Sequence, residues 1–186
     1  MKRARVHAFG FAASLLGVVS AAWAATPGPY YAKPSWDQQL PAATRFVVLS
    51  NWVDANFPSG GAAVLDRETG LVWERFPSGD LTSLDDAFSR CNVSGVGNRR
   101  GWRLPTVDEL ASLVDPTVGA PGPALPAGHP FVNVQVEFFY WSATASAEHP
   151  DSEWGVGFRD GSVARLGKGV AHHFWCVRGG HGVDVQ

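Results

Sequence analysis

The residues able to do chemistry are few, and cysteine is the most reactive of them. Only Cys91 and Cys176 occur. An even pair reads first as a disulfide in an oxidising compartment, and as a metal or catalytic site only where further ligands stand at suitable spacing. No Cys-x-x-Cys or His-x-x-x-His pattern accompanies them, so a Cys91–Cys176 bond is expected. Arg103 and Glu109 are a second pair, placed to hold a ligand or one another. Glu109 also stands three residues after Thr106, the capping-box spacing, which gives it a structural task. Glu148, His149, Asp151 and Glu153 form a run whose oxygens could serve calcium, although Glu-His-Pro-Asp is ordinarily a solvated turn. These patterns demand no cofactor, and calcium at this run is the one they would admit.

Five tryptophans, Trp73, Trp102, Trp141, Trp154 and Trp175, could stack a pyranose ring on an exposed indole face. At strand and loop positions of a small β-rich domain such residues more commonly fill the core, because each buries a large area. Candidate ligand contacts are therefore Arg103, Trp141, Glu148, Asp151, Glu153 and Trp154. His172 and His173 fall on opposite faces of a strand and cannot chelate from one side; one exposed and one packed histidine is expected. Arg99, Arg100 and Arg103 make a small basic cluster that could meet an anionic glycan, or be ordinary loop charge. No Gly-x-Ser-x-Gly elbow and no glycine-rich phosphate loop is present.

The elements that must position these residues begin with an export leader. Lys2, Arg3 and Arg5 precede an apolar run from Val6 to Val19 that ends in Ala22-Trp23-Ala24, so residues 1–24 read as a signal peptide cleaved after Ala24. The run is too short for a bilayer, which needs about 20 apolar residues. The remaining 162 residues suit one domain and carry 12 basic against 17 acidic side chains, a formal charge of −5. That balance argues against nucleic acid and anionic membranes as partners, and the expected location is periplasm, cell surface or medium. Residues 25–61 form an extended lead-in: its first part, to residue 44, holds Pro27, Pro29, Pro34 and Pro41, and one strand is expected over Arg45 to Leu49.

Ala62 to Arg75 alternates as a hairpin turning at Asp66 to Gly70. Thr82-Ser83 with Asp85 and Asp86 opens a helix that ends near Asn92 or Gly95, with Cys91 in its last turn. Pro105 keeps the residue before it extended, Thr106 and Glu109 cap a second helix, and Val107, Leu110, Ala111, Leu113 and Val114 form its apolar face up to Pro116. Residues 116–130 are an irregular, proline-rich excursion. Strands follow at 138–143, 153–158, 162–166 and 173–178, so the disulfide would tie the first helix to the last strand.

The segments LDRETGLVWE, GWRLPTVDELASLVD, FYWSAT, WGVGFRDGSV and FWCVRGG, in this order, resemble the C-terminal domain family of the Legionella collagen-like protein (Lcl), a domain of unknown function in exported bacterial proteins. The resemblance spans residues 62–180, with 181–186 as a tail. It implies a C-type-lectin-like α+β fold, with two short helices on a small twisted antiparallel sheet. The Leu104-Pro105-Thr106 motif with Glu109 is also similar to a segment of formylglycine-generating enzymes, which use reactive cysteines to hold copper. The functional expectation is a non-catalytic recognition or adhesion module for a glycan or an exported protein, working through the loops at 116–130 and 144–153. An oxidoreductase related to those enzymes, or a structural accessory subunit of an exported assembly, are the alternatives.

Overall fold

The computed structural model describes residues 40–179; the expected leader, the lead-in up to residue 39 and the C-terminal tail lie outside them. In chain order the elements are α1 Ala42–Arg45, β1 Phe46–Val48, β2 Ala63–Asp66, β3 Val72–Glu74, β4 Ser78–Thr82, α2 Leu84–Val93, β5 Trp102–Arg103, α3 Val107–Ala111, β6 Tyr140–Ala145, β7 Ser152–Val156, β8 Val163–Gly167, β9 His172–Phe174 and β10 Val177–Arg178. The class is α+β with few and short helices. Instead of one small antiparallel sheet there are two, ordered β1-β2-β3-β10-β5 and β4-β9-β6-β7-β8. The first is antiparallel throughout; the second includes a parallel contact, Tyr140 opposite His173. This arrangement is compatible with a C-type-lectin-like fold. Among the described residues no helix is long and apolar enough to cross a membrane.

The central strands of both sheets are covered on two sides, which explains their unbroken apolar runs. Val64, Tyr140 and Trp175 join one buried cluster with Phe46, Trp73, Leu110 and Phe158. Their immediate neighbours Ala63, Trp141, Phe174 and Cys176 point the other way, into a second cluster with Leu84, Ala87, Trp102 and Leu104. Alternation along a strand normally separates core from solvent; here it separates two cores.

The expected single strand at 173–178 is split. β9 pairs with β4 and β6 in one sheet, β10 with β3 and β5 in the other, and the chain changes sheets at Trp175 and Cys176. The Cys91–Cys176 disulfide sits at this crossover, with both residues buried. It joins the last turn of α2, whose buried face is Leu84, Ala87 and Cys91. Ser83 caps that helix by accepting from the Asp86 amide, with Asp85 and Asp86 beside the positive end of the dipole.

The second helix keeps its capping box but is shorter than its apolar pattern. After Ala111 the amides of Leu113 and Val114 bond three residues back, to Leu110 and Ala111, so the last apolar positions lie in a tightened turn. Upstream, α1 is one helical turn starting at Pro41, within the segment expected to be extended. Proline supplies no amide there but its carbonyl accepts from Thr44 and Arg45. Arg45, expected to open the strand, ends the turn instead. Its fully buried guanidinium donates to both Asp66 carboxylate oxygens at 2.9 and 2.8 Å and to the Ser112 carbonyl at 2.8 Å, with Glu68 3.1 Å away.

The β4 strand was not expected. Gly79, Asp80 and Leu81 are exposed on a sheet edge, so no alternation of apolar residues marks it. The excursion at 116–130 is irregular as expected, yet Ala124 and Leu125 are buried in the first core and the Ala124 amide donates to Phe158.

Removing the crossover bond by changing both cysteines to alanine leaves the thiol-free chain with an unconstrained 85-residue separation. Urea unfolding should then show a loss on the order of 4 kcal/mol, and a loss under about 1 kcal/mol contradicts this role for the bond.

Candidate functional site

Most of the residues singled out by sequence are used internally. The Arg103 guanidinium grips both Glu109 carboxylate oxygens, at 2.7 and 2.6 Å, and also donates to the Leu104 and Gly179 carbonyls. Glu109 in turn accepts from the Thr106 amide while Thr106 accepts from the Glu109 amide, so the capping box and the ion pair share one carboxylate. Leu104 and Pro105 are buried, and the Pro105 carbonyl receives the Ala143 amide. This motif joins α3 to β5 and β6.

Trp141 is fully buried, its indole N–H donating to the Thr82 carbonyl at 2.9 Å, so neither ring face is offered to a ligand. Trp73, Trp102 and Trp175 are equally enclosed, with Trp73 and Trp175 edge to face at 5.6 Å. Trp154 is half-buried. In the β6–β7 connection Glu148 and Asp151 are exposed, whereas Glu153 is buried and paired with Lys168 at 3.2 Å. The expected calcium ligands thus point into different environments. Among the described residues no group of three or more His, Cys, Asp or Glu side chains is arranged to hold a metal ion.

His172 and His173 are both buried, where one was expected to be exposed. Phe138, Phe139, Tyr140 and Trp141 pack on them, and His173 meets the Asp80 carbonyl at 3.2 Å. Burial lowers both pKa values from 6.5; His173 also lowers that of His172, while the Asp80 carbonyl and the Glu137 and Asp80 charges partly offset the effect at His173. Because unfolding restores the ordinary value, stability held by the neutral rings is complete above pH 6.5 and drains away as pH falls below it. Replacing His172 by Gln should therefore flatten the fall in stability between neutral and acid pH, read by thermal unfolding across that range. An unchanged slope contradicts it.

What remains free is the basic cluster, with a changed membership. Arg103 leaves it for Glu109, and Arg178 joins Arg99 at Trp52, a residue that sequence reasoning passed over in the lead-in. The guanidinium carbons of Arg99 and Arg178 lie 5.7 and 5.9 Å from the Trp52 ring centroid. Arg178 Nε donates to the Arg100 carbonyl at 2.7 Å, and Arg100 donates to the Val93 carbonyl at 3.2 Å. Each guanidinium keeps further N–H groups, and among the described residues none of the three forms an ion pair with a carboxylate. Two guanidinium groups, those of Arg99 and Arg178, thus share one ring, and Arg100 adjoins them through its backbone.

The rim depends on Gly97. This residue is buried at φ +70°, and a methyl at its Cβ would overlap the Trp52 ring. Trp52 also meets Trp102 edge to face at 6.2 Å, and Trp102 bonds the Val96 carbonyl at 3.1 Å, so ring and turn are fixed together. Changing Gly97 to Ala should cost about 1 to 3 kcal/mol and displace Trp52, visible as a shift of its fluorescence. Retention of both stability and spectrum overturns this packing.

No curated protein matches the chain. The Lcl C-terminal domain model matches residues 62–178, from the start of the β2 region to the end of β10, and leaves α1, β1 and Trp52 outside its bounds. With more than half its length in that match, the chain belongs to the Lcl C-terminal domain family.

Proposed function

We propose that this protein is an exported, non-catalytic recognition module that binds an anionic glycan on the Arg99, Arg100 and Arg178 face. The observation carrying this reading is the pair of guanidinium groups held at Trp52, Arg99 and Arg178, with the exposed Arg100 adjoining, none of them with a carboxylate partner among the described residues. Planar guanidinium forks match carboxylates and sulfates, and fixing them on a ring and on backbone carbonyls reduces the entropy lost when a ligand is gripped. The acidic remainder of the chain would repel the long uniform charge of nucleic acid, whereas a short charged saccharide need touch only this rim. Binding through guanidinium groups calls for no calcium.

A recognition role is supported over an oxidoreductase by the use of both sulfurs. Thiol-based copper chemistry requires two free cysteines, and Cys91 and Cys176 are bonded to each other inside the core. The same bond, together with the leader-like N-terminus, supports export into an oxidising compartment.

An array of neutral, carboxylated and sulfated glycans tests the reading. Binding is expected for charged members only, weakened by salt, indifferent to chelator, and reduced about tenfold or more by joint replacement of the exposed Arg99 and Arg100 with serine. Equal binding by the double variant, or capture of a protein partner with no glycan bound, contradicts it.

A further inference from the structure

On the other side of the 93–98 turn lies a groove with a volume of about 390 Å³, lined by residues of the 54–56 loop, the end of β3, β4, α2 and the crossover. Its charges are unevenly settled. Arg90 pairs with Asp80 at 3.1 Å on the solvent rim, where both side chains are more than half exposed. Asp54 and Glu74 line the interior, and among the described residues neither has a cationic partner. Glu74 is held in place on all sides: its amide donates to Cys176, its carbonyl accepts from the Trp175 indole at 2.7 Å, and its Oε1 accepts from the Ser94 hydroxyl at 2.7 Å. Asp54 Oδ1 is occupied by the Asn56 and Phe57 amides, which orients its second oxygen. Phe76 and Phe174 supply apolar wall. The rim already displays the contact such a wall allows, since the Arg90 guanidinium stands 5.7 Å from the Phe174 ring centroid.

We infer that this groove is a second binding site, for an ammonium or guanidinium group on an apolar stem, with Glu74 and Asp54 receiving the cation and Phe76 and Phe174 flanking the stem. Two carboxylates, each fixed through one oxygen and neither paired with a cation among the described residues, line the same groove as two aromatic rings, and the only cation there is already bound to Asp80; that lining is complementary to this chemistry and not to an anion or a neutral sugar. The groove shares no lining residue with the arginine rim, and the inference does not rest on that rim.

The groove carries its own pH signature. Burial pushes the Glu74 carboxyl up to about 7, assisted by the Asp54 charge and opposed by the Ser94 hydroxyl and the Cys176 backbone. Asp80 and Arg90 are the remaining charged groups facing the groove, and they neutralise each other. A cation binds the ionised carboxylate, so the empty groove must first release a proton at low pH.

The test is an NMR titration of the whole chain with Nα-acetyl-arginine amide and Nα-acetyl-lysine amide, with the uncharged citrulline amide as control and glucosamine as the saccharide source of the same ammonium. The arginine and lysine side chains keep their charge throughout, so their affinity should be roughly thirtyfold lower near pH 5.5 than near pH 8, and the change belongs to Glu74; glucosamine, whose ammonium is more acidic, is compared with them at about pH 6.5, where all three are charged. Glu74→Gln should remove that dependence and lower affinity near pH 8 by about tenfold or more. Asp54→Asn, in a loop, should weaken binding severalfold without affecting the fold, and keeps the test decisive if Glu74→Gln unfolds. Whichever of the peptide amides or glucosamine binds more tightly identifies the source of the cation. Citrulline amide binding as well as arginine amide, affinity independent of pH, or no shift with any cation at roughly millimolar concentration overturns the proposal.

Discussion

At Trp175 and Cys176 the chain has to leave one sheet and enter the other, and two adjacent side chains face two different cores. Trp175 packs against Trp73, Phe131, Tyr140 and Phe158, while Cys176 is bonded to the helix lying on the opposite side. Loss of either anchor would leave a two-residue connection holding β9 and β10 in separate sheets. The backbone at the same point is engaged by Glu74, whose amide donates to the Cys176 carbonyl and whose carbonyl receives the Trp175 indole. The disulfide therefore links α2, the crossover and β3 in one unit, with the 93–98 turn emerging directly from it.

Both surfaces proposed to bind ligands border that unit. The turn after α2 presents Gly97 to Trp52 and so fixes the ring on which Arg99 and Arg178 rest. Its opposite side contributes Ser94 to Glu74 and closes the groove. One short segment thus separates a rim of unpaired guanidinium groups from a cavity of unpaired carboxylates. Elsewhere charges are satisfied internally, as in the Arg45 and Arg103 networks, whose role is to hold secondary elements together.

Features governed by local chemistry were legible in the sequence. The Ser83 cap, the Thr106 and Glu109 box, the hairpin around Gly70 and the pairing of two lone cysteines each follow from a few neighbouring residues. What was not legible depends on distant partners. Nothing near Arg45 announces a fully buried guanidinium, because Asp66 and the Ser112 carbonyl reach it only in the folded chain. The β4 edge strand has a polar composition, and the break between β9 and β10 is hidden in an apolar run because both halves are buried. Whether Trp141 served as a ligand platform or as core was open in the sequence for the same reason: both roles use the same residue type, and only its burial and the Thr82 carbonyl decide between them. Trp52 escaped notice because its significance lies in Gly97, 45 positions away.

The Cys91–Cys176 bond makes α2 and the 93–98 turn part of the same cooperative unit as the crossover. Residue-resolved hydrogen exchange before and after reduction of the folded protein measures this directly. In the oxidised protein the amides of α2 should exchange together with those of β3 and β9, through global opening. After reduction, α2 and the following turn should exchange about tenfold faster or more while β2 and β3 keep their relative protection. Unchanged protection of α2 after reduction, or uniform loss across every element, would contradict the account.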